Sequence, residues 1–505
     1  MEDVSDFLAD VSSIVWGPYL LIPLLLGTGL YLTVRLGGLQ FLKLAAALRL
    51  GLLKRKDAGA EGDISQFQAL TTALAATVGT GNIVGVATAI GIGGPGALFW
   101  MWVTGLLGMA SKYGEAYLGV RYRRTDSAGE KSGGPQYYLE HGIKNSFGKV
   151  LALMFAVCAF IASFGIGNMT QGNSIASNVE HSWSIPTWVT GIVLTVLALV
   201  VLVGGIKSIG RVTASFVPIM IIFYVLGAIY ILLANFGALP AALGQIFTDA
   251  FTGTSAVGGF AGSAIIIAVQ FGVARGIFSN ESGMGSAAIA AAAAQTTHPV
   301  RQGLVSMTQT FIDTIIVVTC TGLVIITTGT WKEIDPETGE QVSAALMTGQ
   351  AFMHGLPGQW GHWIVTLGLV MFAFSTILGW SYYGERNAER LFGRRAVTPF
   401  RIVFALVVYI GCTVPLSVVW NFSDVMNGLM ALPNLVGLLI LSGVIARETR
   451  HYLKHDPKLE ASKEEIEAFM ADRPGWDDWK AGDEIGSSHA DRSRSRAETE
   501  AGRAG

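Results

Sequence analysis

Two short stretches of this chain place glycines and polar residues where an unbroken apolar helix would otherwise run. One is Thr77-Val78-Gly79-Thr80-Gly81-Asn82. The other is Gly276-Ile277-Phe278-Ser279-Asn280-Glu281-Ser282-Gly283-Met284-Gly285, preceded by Arg275. Each glycine weakens a helix interior by about 1 kcal/mol, so both stretches are expected to unwind. At membrane depth, unwound backbone survives only where protein or a water-lined cavity satisfies its N–H and C=O groups. The half-helix ends then offer amides to an anion and carbonyls to a cation. A free amino acid carries both charges, and Na⁺ seeks oxygens. Gln171 is a polar side chain in an otherwise apolar span, and Ser375-Thr376 puts two hydroxyls into the run LVMFAFSTILGW. Either feature can instead serve the bundle, Gln171 by bridging helices and Ser-Thr by bonding back to its own helix. Arg275 and Glu281 each cost at least ~2.5–3.5 kcal/mol near a bilayer centre, so each must face a cavity or a partner. Glu115, near Lys112, is expected to snorkel or pair toward the end of its span.

The elements that position these residues are membrane helices. Of the 505 residues, 51% are hydrophobic and only 14% charged, against roughly 25% charged in soluble domains. Stretches of about 20 apolar residues fall near 14–35, 66–91, 96–120, 149–178, 186–205, 211–235, 260–292, 303–328, 360–386, 400–419 and 425–446, about eleven spans. Lys and Arg alternate strictly between their connections. Lys54, Arg55 and Lys56 follow the first span, and Arg121, Arg123, Arg124 and Lys131 the third. Lys207 and Arg211 follow the fifth, Arg301 the seventh, and Arg390, Arg394, Arg395 and Arg401 the ninth. Lys332 is the one exception on the other side. By the positive-inside rule this puts the N-terminus outside and the C-terminus in the cytoplasm of a cell membrane. The acidic leader MEDVSDFLADVSS lacks the basic start of a cleaved signal. Beyond about residue 455 the chain becomes charge-rich, and the reading there is a short helix near 461–472 and then a disordered tail. Cys158, Cys320 and Cys412 have no paired spacing and suggest neither disulfide nor zinc.

With the first span set aside, the two interrupted segments open the two five-span halves, as in an inverted repeat. The stretches TALAATVGTGNIVGVATAIGIGGPGALFWMW and ARGIFSNESGMGSAAIA resemble the signatures of the alanine or glycine:cation symporter family, over spans two to eleven. The resemblance implies an all-α integral membrane protein with a leucine-transporter-like 5+5 core and one peripheral N-terminal helix. The domains read as 1–35, a connection 36–65, repeats 66–235 and 236–446, and a cytoplasmic tail 447–505. It also implies site roles. Amides of Gly79, Thr80 and Gly81 would hold the substrate carboxylate, and Asn82 either steadies the unwound turn or touches the substrate. Carbonyls around Ile277, Phe278 and Ser279 would meet the ammonium, and Phe278 would cap the side-chain pocket. Gln171 would contact the carboxylate, and Trp380 would close over a small side chain or simply pack. Na⁺ would be held by Ser375, Thr376 and the carbonyls of Ala75, Val78 and Phe372.

The expected function is therefore Na⁺-coupled import of alanine or glycine by alternating access, with no organic cofactor. A proton-coupled symporter, with Glu281 as carrier, and an ion channel are the competing readings. A channel would more naturally show a repeated pore loop or a charged ring. No HExxH or GxSxG is present, and no span pairs a His with an acid, which argues against an enzyme. No basic footprint for nucleic acid exists, and no obligatory protein partner is evident.

Overall fold

The computed structural model describes residues 2–17, 19–55, 57, 59–252, 261–335, 339, 341–414 and 417–471. It is built of helices, with one small hairpin pairing Arg124–Thr125 and Lys131–Ser132. The helices that organise it are α1 (Leu21–Arg35), α2 (Gln66–Thr77), α3 (Val86–Gly93), α4 (Gly96–Arg121), α5 (Ser146–Phe164), α6 (Thr170–Trp183), α7 (Thr187–Leu202) and α8 (Gly205–Ala234). They continue as α9 (Ala261–Asn280), α10 (Ala287–Ala292), α11 (Pro299–Thr310), α12 (Thr319–Thr328), α13 (Trp360–Phe392), α14 (Val397–Thr413), α15 (Ser417–His455) and α16 (Lys463–Met470). Among the described residues, six helices are long and apolar enough to cross a bilayer, or seven if the bent pair of α2 and Gly81–Gly93 is one span. Shorter apolar helices are Leu21–Arg35, Thr187–Leu202 and Ile265–Asn280.

Burial runs opposite to that of a soluble protein. Helix α7 turns Trp188, Ile192, Val196 and Val200 outward. Ile219, Ile222, Leu226 and Leu233 of α8 and Ile402, Leu406 and Ile410 of α14 do the same. Contiguous exposed aliphatics on this scale mark a surface made for lipid. The polar residues lie inside: Asn82, Lys112, Glu115, Gln171, Glu281, Asp313, Ser375 and Thr376 are all buried.

Three boundaries depart from the sequence reading. The first span begins at Leu21 rather than 14, because a separate helix, Glu2–Val15, precedes it and the chain turns at Trp16, whose indole N–H donates to the Asp424 carbonyl. The second interruption is narrower than expected, since α9 stays helical through Gly276 to Asn280. The last span is longer, α15 running unbroken through Pro433 to His455. The helix expected near 461–472 is α16, opened by a capping box on Ser462 and Glu465. The tail beyond 471 lies outside the described residues.

The face that carries most Lys and Arg is laced together by ion pairs. Arg386, 1% exposed, reaches Asp126 (3.4 Å), Glu130 (3.4 Å), Glu385 (2.6 Å) and Glu389 (2.9 Å). Arg394 adds Asp126 at 2.7 Å and Glu130 at 2.8 Å. Arg123 donates to the carbonyls of Ala292, Ala294 and Glu61. Arg301 holds Asp57 at 2.8 Å and Asp456 at 3.0 Å, tying the approach to α2 and the end of α15 to the start of α11. Removing one partner of a buried ion network leaves the others uncompensated. Arg386→Met should therefore cost about 3–5 kcal/mol, read as a lower melting temperature in detergent. An unchanged melting temperature would remove Arg386 from this role.

Candidate functional site

The first break follows from Val78-Gly79-Thr80-Gly81. Val78 caps α2 at φ −75°, ψ 88°, which turns its carbonyl out of the helix, and the chain bends by 53° into Gly81–Gly93. Asn82 steadies this turn: its Oδ1 accepts from the Gly79 N–H at 2.9 Å. Of the three amides expected to face a carboxylate, that of Gly79 is thus already engaged. The Thr80 N–H points at Gln171 Oε1 across 3.5 Å, a long contact that a better acceptor can displace. The Thr80 hydroxyl is buried with no hydrogen-bond partner. Gln171 is itself held by its Nε2, which donates to the Ile166 carbonyl at 3.0 Å.

The second break is made by left-handed residues at the end of α9. Glu281 has φ 55°, Gly283 φ 92° and Gly285 φ 83°, and Asn280 Oδ1 accepts from the Ser282 N–H at 2.9 Å. Ile277, Phe278 and Ser279 therefore sit in the last helical turn rather than in an unwound loop. The Ile277 carbonyl accepts from the Glu281 N–H at 2.8 Å, so it is engaged in the helix and not aimed at a ligand. The two breaks touch. A Cβ on Gly81 would lie 3.0 Å from Ser279 Cα and 3.2 Å from Phe278 Cδ1, so glycine lets the two breaks approach this closely without a neighbour having to shift.

Sequence reasoning missed Asp313, which joins the breaks from the wide turn Phe311–Val318 between α11 and α12. Its Oδ1 accepts from Asn82 Nδ2 at 2.8 Å, and its Oδ2 from Ser279 Oγ at 2.9 Å and Thr314 Oγ1 at 3.0 Å. The available signal was one acid inside the apolar run FIDTIIVV, which marks an intramembrane functional position by default.

Of the expected cation ligands, Ser375, Thr376, Phe372 and Ala75 are brought together. Ser375 Oγ donates to the Phe372 carbonyl at 2.8 Å and reaches the Ala75 carbonyl at 3.3 Å, while Thr376 Oγ1 donates to Phe372 at 3.1 Å. The space a Gly79 Cβ would fill is occupied by Thr376 Oγ1. Hydroxyls and carbonyls from α2 and α13 thus form an all-oxygen set, buried with its surroundings, which fits a hard monovalent cation. Trp380 lies one turn further along α13. Its indole N–H donates to Glu281 Oε1 at 2.8 Å and it packs on Gly167, so in this conformation it does not line the cavity.

A cavity of about 600 Å³ descends to the breaks, reaching Thr80 and Phe278. Its walls include Thr88, Asn173, Ser177 and His181, with Arg275 and Asp424 facing each other across 3.9 Å. The Arg275 guanidinium stands 5.6 Å from the Phe278 ring centre. The cavity lies away from the ion-paired face.

The family model for the sodium:alanine symporter family matches residues 1–467. The chain is 51% identical over 445 residues to the sodium/alanine symporter AgcS of Methanococcus maripaludis, covering 88% of this chain and 96% of that one. It is 34% identical over 457 residues to the probable sodium/glutamine symporter GlnT of Bacillus subtilis, covering 90% and 92%. Among solved structures, MhsT in complex with L-phenylalanine superposes with a TM-score of 0.54 at 14% identity, over 78% of this chain and 99% of that one. That likeness bears out the leucine-transporter-like fold.

Gly79 gives a direct test of the packing between α2 and α13. Gly79→Ala should overpack this contact, costing about 1–3 kcal/mol and lowering the melting temperature. Thr376→Ala added to it should recover most of that loss by removing the clashing oxygen. Failure of the second substitution to recover stability would show that the two helices do not meet there.

Proposed function

The chain belongs to the sodium:alanine symporter family, and from that premise we propose that it imports alanine and glycine by symport with Na⁺ through alternating access. It is a multi-pass membrane transporter and not an enzyme. The observation that carries the reading is the meeting of Ser375 and Thr376 with Ala75 and Gly79. A cation bound between these oxygens ties α13 to the broken helix, and the same helix break presents the Thr80 amide to a carboxylate. Cation and substrate then favour the same arrangement of two helices. Ala75, Val78, Phe372, Ser375 and Thr376 hold Na⁺ in this reading.

The substrate carboxylate takes the Thr80 and Gly81 amides, displacing the long contact to Gln171, which then donates or accepts at the ligand's edge. Its ammonium lies toward the C-terminal end of α9 at Phe278 and Ser279, where the helix dipole is negative and where the buried Asp313 carboxyl lies against Ser279. Asn82 acts through the turn, holding Gly79 and Asp313 in place. The cavity is a vestibule, and selection occurs at its floor, where Gly81, Ser279 and Phe278 are in contact and leave room only for a small side chain. The eleven spans form a peripheral helix and two inverted five-helix repeats. In this reading the ion-paired, basic face is cytoplasmic, the N-terminus is outside and the cavity faces the exterior, as the alternation of basic connections suggests.

Three outcomes follow in proteoliposomes. Ser375→Ala with Thr376→Ala should raise the sodium concentration that half-saturates uptake, in a protein that remains folded; unchanged sodium dependence removes the pair from the site. A lumen-negative potential should accelerate uptake, because one charge moved across 100 mV is worth ~2.3 kcal/mol. Alanine and glycine should compete for labelled alanine while leucine and phenylalanine do not, and Phe278→Ala should admit larger side chains. Wild-type uptake of leucine would overturn the small-pocket reading while leaving symport intact.

A further inference from the structure

The chain does not leave the bundle where α15 ends. At Asp456 it turns, with Leu459 left-handed at φ 59°, and α16 folds back beside the last turns of α15. Leu459, Ile466 and Met470 are at most 2% exposed, so apolar burial anchors this otherwise charged segment. Phe469 stacks on His455 with ring centres 5.1 Å apart and meets Tyr452 edge-on at 5.6 Å. The turn also touches the connection that precedes α2. Lys43 Nζ donates to the Pro457 carbonyl at 2.8 Å, and Arg49 donates to the Lys458 carbonyl at 3.1 Å and to Glu460 Oε1 at 2.7 Å.

Arg301 joins these pieces. It sits in the first turn of α11, where the helix dipole disfavours a cation, so its place is explained by what it binds. Nε donates to the Tyr452 hydroxyl at 2.7 Å, and Nη1 to Asp57 Oδ1 at 2.8 Å and Thr297 Oγ1 at 3.2 Å. Nη2 donates to Asp456 Oδ2 at 3.0 Å and to the Ala461 carbonyl at 2.6 Å. The lead into α2 is bonded in turn to the joint between α10 and α11. The Asp63 N–H donates to the Ala293 carbonyl at 2.8 Å, the Gln295 N–H to the Ile64 carbonyl at 2.7 Å, and the Thr297 N–H to Asp57 Oδ2 at 2.7 Å. Helix α2 ends at the first break and α10 begins just past the second. Any separation of the two broken segments at this end has to undo these contacts.

We propose that Asp456–Met470 is a strap that clamps the lead into α2 against the start of α11, and that it comes off Arg301 each time the ion-paired face opens. Its place in the cycle rests on the transport reading above; its clamping action does not. The contacts are arranged so that release is tolerable. When Asp456 leaves, Arg301 keeps Asp57 and a neutral pair remains, whereas a lone buried guanidinium would be strongly destabilising. The contacts from Lys43 and Arg49 are exposed, and exposed pairs of this kind hold only weakly.

A reducible tether tests the proposal. Arg49→Cys with Glu460→Cys replaces an exposed ion pair, so the full-length variant should take up alanine into proteoliposomes at the wild-type rate before crosslinking. Once a short thiol-to-thiol crosslinker joins the two positions, alanine binding should be unchanged. Uptake should then be at least about tenfold slower, as when a conformational step limits turnover, and reduction should restore it. Crosslinked protein that keeps its uptake, or that loses binding together with uptake, overturns the strap. An equal loss in either single-cysteine variant does the same. Hydrogen exchange on the purified full-length protein needs no transport. Asp456→Asn should speed exchange about tenfold or more at 463–470 and also at 293–297. Faster exchange confined to 463–470 overturns the clamp. If wild-type uptake ignores sodium while the tether and the exchange behave as stated, the symport reading falls and the strap stands.

Discussion

The structure depends on one constraint: backbone groups freed inside a membrane must find partners in the protein, because hydrocarbon offers none and each unmet group costs several kcal/mol. Both breaks satisfy it with side chains brought from elsewhere. Asn82 takes the Gly79 amide, Asn280 the Ser282 amide, and Glu115 the Gly285 amide. Asn434 donates to the Gly283 carbonyl, Lys112 to that of Glu281, and Gln309 to that of Asn280. This explains why α4, α11 and α15, which line no part of the cavity floor, carry amides and charges deep inside. They are the cost of keeping two helices open in the middle.

The two ends of the molecule solve a different problem. A carrier must hold one face shut without making that state permanent. One face here is held by ion pairs, with Arg386, Arg394, Arg301 and their carboxylates. Buried ion pairs add little net stability, because desolvation offsets attraction. They fix geometry well, however, and become readily hydrated once water enters. At the other end the Arg275–Asp424 pair stands at 3.9 Å over Phe278, a spacing too long for a direct hydrogen bond. Exchangeable buried pairs around Arg386 and the loose Arg275–Asp424 pair beside the cavity suit two conformations of similar free energy.

Much of this was legible from residue types alone. The glycines and polar residues of both interrupted stretches, the Ser375-Thr376 pair and the alternation of basic connections each reflect a local physical demand, so each leaves a local trace. What the sequence misled on is equally instructive. Gly276 reads as a helix breaker, yet α9 passes straight through it, because a Cβ there would lie 2.5 Å from Thr104 Oγ1 of α4. Its glycine serves close packing, and the unwinding is displaced to the left-handed positions at Glu281, Gly283 and Gly285. Asp313 stands out as an acid in an apolar run, but its partner Asn82 lies 231 residues away, and the Trp380–Glu281 bond spans 99 residues. No periodicity announces a pairing of that kind. Roles that depend on which distant side chain arrives first are invisible until the chain is folded.

Gly79 shows how short the path between cation and substrate can be. Its missing side chain leaves the backbone against Thr376 Oγ1 on one side, and a Cβ there would stand 3.4 Å from Gln171 Oε1 on the other. The neighbouring amide, that of Thr80, already faces the same Gln171 oxygen. Coupling between two ligands is a shared free energy, usually 1–3 kcal/mol, and it acts equally in both directions. A shift of a few tenths of an ångström at Thr376, as its hydroxyl turns from the Phe372 carbonyl toward an ion, must be absorbed by Gly79, because nothing lies between them. Asn82 prevents Gly79 from yielding freely, since it is anchored in turn to Asp313 and hence to Ser279 of the second break. Thr376, the first break, the Asp313 carboxyl and the second break are therefore one contiguous set of contacts, and under the proposed site assignment no long-range pathway is needed for one ligand to sense the other.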